Sequence, residues 1–442
     1  MPVVSQTIPN FLNGLSEQTP TQRGINQGTD QINYQNNIVE GLTKRPPLEF
    51  VATVDSGNVY PNTIKFWNIN RDAASRFIVT FYNGGVKVFG LDGTSYPVSF
   101  PNGTSYLTST NPREDFNCVS VADFTFIANK SIIPTASASS SPAKVEEFLI
   151  NVAKSQYGIE YKVTVNHPSM SNPIAVIFQM PSGNDATTDS TFRDTNKIKD
   201  ILLNGTSSTH WNSGASQIGF KTINATSGAV LSTTQGLSNY SGITSHFTFE
   251  SYDSVIYGKP TDGNAGYTVE SADGQGNLAM YVVRDEIQDF SRLPYYGKTN
   301  VKIKVTGDEG DTLTDYFVAF QGNGVWSETI APGTSLGLDN TKMPHALVNN
   351  NNGTFTFKQL TFNERICGSI TTNPDPSFVG QAIQNLTFYK NRLGLLSGEN
   401  LIFTENGGFF NFYGTTVTQV LDTDPIDIAT PTTTTEDDVN AA

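Results

Sequence analysis

Between Pro376 and Tyr413 the chain reads PSFVGQAIQNLTFYKNRLGLLSGENLIFTENGGFFNFY. Short apolar runs, LTFY, LGLLS, LIFTE and FFNFY, alternate there with Lys-Asn-Arg, Gly-Glu-Asn and Asn-Gly-Gly, which accept the positive φ that tight turns between antiparallel strands require. The stretch predicts a meander of three or four short strands. The same pattern recurs earlier in the chain. Phe124-Thr-Phe-Ile-Ala-Asn-Lys130 parallels Leu386-Thr-Phe-Tyr-Lys-Asn-Arg392, and Val79-Thr-Phe-Tyr-Asn-Gly-Gly-Val-Lys-Val-Phe89 parallels Ile402-Phe-Thr-Glu-Asn-Gly-Gly-Phe-Phe-Asn-Phe412. A strand unit is repeated, with a long and different segment between its copies.

Composition agrees with an all-β reading. The 28 Phe and 17 Tyr together with 38 Gly are typical of many short strands joined by tight turns, and 442 residues are enough for two or three domains. The 27 basic residues are outnumbered by 41 acidic ones, a formal charge of −14 that repels polyphosphate at long range. That balance argues against gripping DNA; it is compatible with the wall of a channel through which DNA slides. Two cysteines, Cys118 and Cys367, exclude a disulfide framework and predict two unpaired thiols, a single bridge being the alternative. MPVVSQTIPNFLNGLSEQ lacks a basic segment followed by a continuous apolar core, and no apolar run reaches about 18 residues, so neither a secretory leader nor a membrane span is predicted.

In chain order, residues 1–50 are polar and weakly periodic up to Glu40-Gly-Leu-Thr-Lys-Arg-Pro-Pro47, where two prolines force extended backbone beside Lys44 and Arg45. This is a surface arm or a strand-like lead-in. Residues 51–144 read as β-meander blades: IKFWNI, RFIVTFY, VKVFGL and YPVSF with turns at Asn83-Gly84-Gly85 and Leu91-Asp92-Gly93, then VSVADFTFIANKSI. SASSSP at residues 137–142 is a low-complexity break, beyond which residues 145–375 read as an inserted β-rich domain. It carries one helix pattern, residues 191–204, in which Phe192, Ile198, Ile201 and Leu202 share a face. NVKIKVTG places Val301, Ile303 and Val305 on one side of a strand and Lys302 and Lys304 on the solvated side, and TFTFKQLTF reads as a further strand pair. A last blade occupies residues 376–430, and 431–442 form a polar tail. The fold class expected is mainly β: partial propeller-like blades interrupted by a large β-rich (α+β) insertion.

Catalytic chemistry finds little support. His167, His210, His246 and His345 are far apart in sequence, and HExxH, CxxC, GxxxxGK[ST] and GxGxxG are all missing. No catalytic, cofactor or metal residue is assigned. The Asp-rich segments Gly307-Asp-Glu-Gly-Asp311 and Asp422/Asp424/Asp427 could hold calcium, but lack the twelve-residue loop with its closing glutamate, and turn chemistry is the better reading. Asp285-Glu286 and Asp308-Glu309 could be nominated as a glycosidase pair, yet neighbours on a strand face opposite sides.

GLTKRPPLEF, PNGTSYL, NPREDF with VSVADFTFIANK, KMPHALV, the long block at 376–413 and DTDPIDIA together resemble the tail tubular protein B family, the nozzle proteins of short-tailed podovirus-type phages. The blocks run in the family's order over about residues 1–430 and are thin between about 145 and 340. The resemblance implies a structural role in the distal tube of a virion's short tail. Six copies are expected to form a ring below the gatekeeper (tail tubular protein A) and portal, with tail fibres docking near the junction. DNA would pass through the channel without sequence-specific binding, and contact with the host envelope is possible. The family's body is propeller-like with inserted domains, and its chains continue past the equivalent of Ala442, so further blades are expected beyond this sequence. Lys44 and Arg45 at one end and Asp422, Asp424 and Asp427 at the other are candidate subunit contacts, because opposite charges at two ends of a repeating body can meet between neighbours. Two alternatives stay open: a carbohydrate- or receptor-binding tail module using Trp67, Trp211 or Trp326, and a tail-associated glycan hydrolase.

Overall fold

Strand after strand in this chain ends at a residue with positive φ, and those residues are the ones the turn signals mark: Gly84, Gly93, Lys390 with Asn391, Gly398 and Gly407. The computed structural model describes residues 5, 7, 10–55, 60–184, 187, 189–206, 219–307 and 312–429. It is mainly β. The chain divides into two compact units, residues 1–59 with 89–95, and residues 60–88 with 96–442.

The smaller unit contains the antiparallel hairpin Tyr34–Asn37 with Gly41–Lys44, paired from Tyr34↔Lys44 to Asn37↔Gly41. No described residue in 5–55 is buried. Its apolar side chains face outward instead: Ile38 and Val39 at the hairpin tip are 92% and 91% exposed, Leu48 and Phe50 89% and 77%. Farther along, the turn at Gly93 abuts Ala52. A Cβ on Gly93 would lie 2.5 Å from that of Ala52, and φ is +86°, so close approach and backbone conformation both require glycine.

In the larger unit, Lys65–Asn70 pairs antiparallel with Arg76–Tyr82, which turns through Gly84 into Gly85–Gly90. Alternation along Arg76–Tyr82 points Phe77, Val79 and Phe81 into a core shared with Phe116, Ile127, Leu347 and Phe357. Those partners come from a five-stranded sheet ordered Val98–Ser99, Phe355–Lys358, His345–Asn349, Phe124–Asn129, Phe116–Val121. The central pairing, Ile127↔His345 to Phe124↔Val348, joins segments more than 200 residues apart. His345 is buried there, its ring stacked 3.9 Å from Tyr106, and burial holds its pKa below the usual imidazole value.

Between these segments lie two further sheets. One has eight strands, running from Phe247–Tyr252 through Val255–Pro260, Phe148–Val152 and Met280–Arg284 to Tyr316–Gly322 and Val325–Thr329. The other has five, with Ile174–Gln179 at its centre. The helix Thr195–Asn204 packs Ile198, Ile201, Leu202 and Leu203 into the core they share, beside Phe148, Val163 and Phe178. Asp194 caps it by accepting from the Asn196 N–H at 2.9 Å, and Gly205 ends it at φ +75°. In the eight-stranded sheet Val301, Ile303 and Val305 are buried as the alternation predicts. Lys302 and Lys304 are only half-exposed, Lys304 being paired with Asp315 at 2.6 Å.

Two expected strands do not form. FFNFY, matched by sequence to the second half of the hairpin at 76–90, leaves the turn at Asn406-Gly407-Gly408 after a single Glu405↔Gly408 bridge. Asn411 accepts from its neighbour Tyr413 N–H and donates to the Tyr413 carbonyl and to Glu405, so the backbone is satisfied locally and Phe412 and Tyr413 enter the core from a coil. The strand that completes this four-stranded sheet is Ile426–Ala429, after Asn385–Tyr389, Arg392–Ser397 and Asn400–Phe403. TFTFKQLTF yields one strand, Phe355–Lys358; the rest runs irregularly with Leu360 and Phe362 buried. The sheets are open, and none closes on itself among the described residues.

Candidate functional site

The final sheet shows how the acidic stretch at 422–427 is built. Arg392 opens the second strand of that sheet and is only 8% exposed, while Leu393 and Leu395 of the same strand pack with Ile402 in the core. A guanidinium taken from water needs every donor matched, and this one is aimed at main-chain carbonyls. Nη1 donates to Thr404 O at 2.8 Å and Asp424 O at 2.6 Å, and Nη2 to Asp422 O at 2.8 Å. So Asp422 and Asp424 meet the cation through their backbones. The Asp424 carboxylate accepts from Leu421 N–H at 2.7 Å, closing a turn, and Asp427 accepts from Ser377 N–H and Oγ, both at 2.7 Å. Two of the three candidate carboxylates therefore hold their own loops together, and only Asp422 presents an exposed carboxylate with no side-chain partner among the described residues.

Ile426–Ala429 is the last strand of its sheet and pairs only with Asn400–Phe403 among the described residues. Ile426 and Ile428 share a face and are 39% and 50% exposed; Asp427 points the other way. Beside it lies an open cleft of about 440 Å³ lined by Asn373, Asp375, Val420, Asp424 and Asp427. Glu328 fixes the cleft's far loop by accepting from Thr416 Oγ1, Val417 N–H and Thr418 Oγ1 at 2.6 to 3.1 Å.

Beneath this surface sits a buried ionic centre. Arg365, its side chain fully enclosed, donates through Nη2 to Asp375 at 2.8 Å and through Nη1 to the Ser335 carbonyl, and lies 4.6 Å from the Tyr413 ring. Tyr413 donates to the same carboxylate at 2.9 Å; burial and the adjoining Asp375 push its phenol pKa well up. The centre ties residues 335, 365, 375 and 413 into one core.

At the other end of the chain, Lys44 closes the hairpin of the smaller unit and Arg45 follows it, both exposed and without a side-chain partner among the described residues. Pro46 and Pro47 favour extended backbone at the residue before each, Arg45 and Pro46, and no strand pairs with 45–54 among the described residues.

The other nominated residues fall into structural roles. Asp285 pairs with Lys144 at 2.8 Å and Arg284 at 3.2 Å, and Glu286 faces Lys304 at 3.9 Å. The Trp67 and Trp326 indole N–H groups donate internally, to Ser120 Oγ and Pro294 O, each at 2.8 Å. Cys118 and Cys367 are free thiols, both buried. His167 and His246, 79 positions apart, stack at 5.1 Å, with His167 Nε2 3.1 Å from Asp262. His210, Trp211, the pair Asp308-Glu309, the acidic residues of 308–311 and the tail 431–442 lie outside the described residues. Sequence reading missed Arg365 and Arg392. Their signal was slight: each is a cation that follows polar residues and leads into an apolar run, Arg392 before LGLL and Arg365 before Ile366-Cys367.

Comparison with known proteins relates the sequence to a family. Residues 1–437 match the bacteriophage nozzle protein family. The chain is 31% identical over 441 residues to tail tubular protein gp12 of Escherichia phage T7, an alignment covering 98% of this chain and 50% of that protein. It thus spans about half the length of the curated relative it matches.

Proposed function

The chain belongs to the bacteriophage nozzle protein family, and on that premise we propose that it builds the distal tube of a short phage tail. The family is a structural tail family, not one of enzymes. One observation carries the reading: the relationship runs through the whole chain, arm and acidic edge strand included, so no part needs a separate activity.

In this reading the chain assembles as a homohexameric ring, with tail tubular protein A as gatekeeper above it, fibres docked near the junction, the host envelope below, and DNA passing through the channel. The domain organisation proposed is an arm (1–50), propeller-like blades (51–144), an inserted β-rich domain (145–375), a further blade (376–430) and a polar tail (431–442). The pairing of Phe124–Asn129 with His345–Asn349 supports a blade body interrupted by an insertion, and favours a return to that body at about residue 345 rather than 375. Lys44, Arg45, Asp422, Asp424 and Asp427 belong to subunit contacts, the internal bonds of Asp424 and Asp427 making Asp422 the foremost acidic partner.

The channel wall is acidic in this proposal. Six copies at −14 each carry about −84, a field that keeps a duplex mobile instead of bound. A reconstruction of the ring with a strongly positive lumen would sink that part. The assignment itself is tested by gold labelling of intact virions with antibodies against residues 376–413 and, separately, 145–340. Label confined to the distal short tail is expected; label on fibres, or none on particles, overturns it.

A further inference from the structure

The chain carries two unsatisfied features that match each other. One is the segment that leaves the hairpin: Lys44 is its last residue, paired with Tyr34, the Arg45 N–H donates to Asn33 O, and Pro46-Pro47-Leu48-Glu49-Phe50 has no strand partner among the described residues, with Leu48 and Phe50 89% and 77% exposed. The other is the strand edge Ile426–Ala429, without a partner on its outer side among the described residues, preceded by the exposed Asp422, with Ile426 and Ile428 as its outward apolar residues. Water penalises exposed apolar side chains, and a bare strand edge is a template for another strand.

We infer that the 44–50 segment of one copy adds as a parallel strand to the Ile426–Ala429 edge of a second copy of this chain. The spacing carries the register. Lys44 precedes Leu48 by four residues, and Asp422 precedes Ile426 by four, so setting Leu48 beside Ile426 and Phe50 beside Ile428 brings Lys44 to Asp422 and Pro46-Pro47 to Asp424-Pro425. The apolar pairs share one face, because both chains alternate with a period of two. Prolines next to the strand break the ladder where neither chain needs an N–H. The occupant is a second copy because donor and acceptor are different patches of the same sequence. A contact of that kind is head-to-tail, the type that builds a ring when its rotation closes and a filament when it does not. The inference rests on the tube reading and supplies its subunit contact. It also contains an unfavourable element: Glu49 falls beside Asp427 on the opposite face, so like charges oppose the pairing there.

The test uses the 442-residue chain carrying Phe50→Cys or Ile428→Cys, exposed positions in a chain whose native thiols are both buried. A cross-linked species of twice the 48.0 kDa chain is expected when the two variants are mixed and oxidised. Neither variant alone should give it. Reversing Lys44 and Arg45 to Glu should cut the yield roughly threefold to fivefold, Asp422→Lys should restore it, and Glu49→Gln should raise it. No mixed product, an equal product from either variant alone, or a yield indifferent to all three charge changes overturns the inference. Gold labelling of the distal tail is read separately, so label without a mixed product removes only this contact, and a mixed product without label removes only the tube assignment.

Discussion

Arg365→Ala is expected to destabilise the larger unit by about 3–5 kcal/mol, the cost of breaking a buried ion pair by deleting one partner. The reason is geometric. Arg365 has no exposed side-chain surface and Asp375 only 19%, so removing the cation strands a carboxylate that keeps just the Tyr413 hydroxyl, and leaves the Ser335 carbonyl and the Tyr413 ring face without their partner. The cavity adds to the loss. Arg365→Lys is expected to recover little, since a point charge cannot fork between a carboxylate and a carbonyl while lying along a ring. Removing both charges, Arg365→Met with Asp375→Asn, should cost less than Arg365→Ala alone, because no uncompensated ion is then enclosed. Urea unfolding followed by tryptophan fluorescence measures all of these. A loss below about 1 kcal/mol for Arg365→Ala would mean that the pair is not the enclosed structural centre described above.

Arg392→Met comes second, at roughly 2–4 kcal/mol, the worth of several charge-assisted hydrogen bonds lost together and not simply added. Methionine fills the aliphatic path of the side chain but gives nothing to the carbonyls of Thr404, Asp422 and Asp424. The effect should therefore be local as well as global. Amide hydrogens of Ile426–Ala429 are expected to exchange faster, since the turn that delivers this strand to Asn400–Phe403 has lost its anchor, while Phe148–Val152 in the eight-stranded sheet keeps its protection. Equal loss of protection in both places would show that Arg392 supports the whole unit and not the edge. The same variant should lower the mixed cross-link yield, because the acceptor strand would be held less often in place.

The sequence alone determined the local structure, and for a physical reason. Alternation along RFIVTFY or NVKIKV, the positive-φ residues between runs and the Asp194 cap depend on a few neighbouring residues, so they can be read without knowing the fold. The relation to nozzle proteins was likewise carried by ordered blocks of sequence. Tertiary structure decided the rest. Which strands become neighbours was not legible: Phe124–Asn129 and His345–Asn349 pair across more than 200 residues, and nothing local encodes that register. Val79–Phe89 and Ile402–Phe412 share Asn-Gly-Gly and similar apolar runs, yet the first is a hairpin and the second a coil, because Ile426–Ala429 takes the place beside Asn400–Phe403 and Asn411 satisfies the coil. Aspartates that looked like free surface charge proved to be turn caps or backbone acceptors once Arg392 and Ser377 were brought beside them. Charge is written in the sequence. Whether it faces solvent, a loop or a buried cation depends on contacts made across the whole fold, and only those contacts set it.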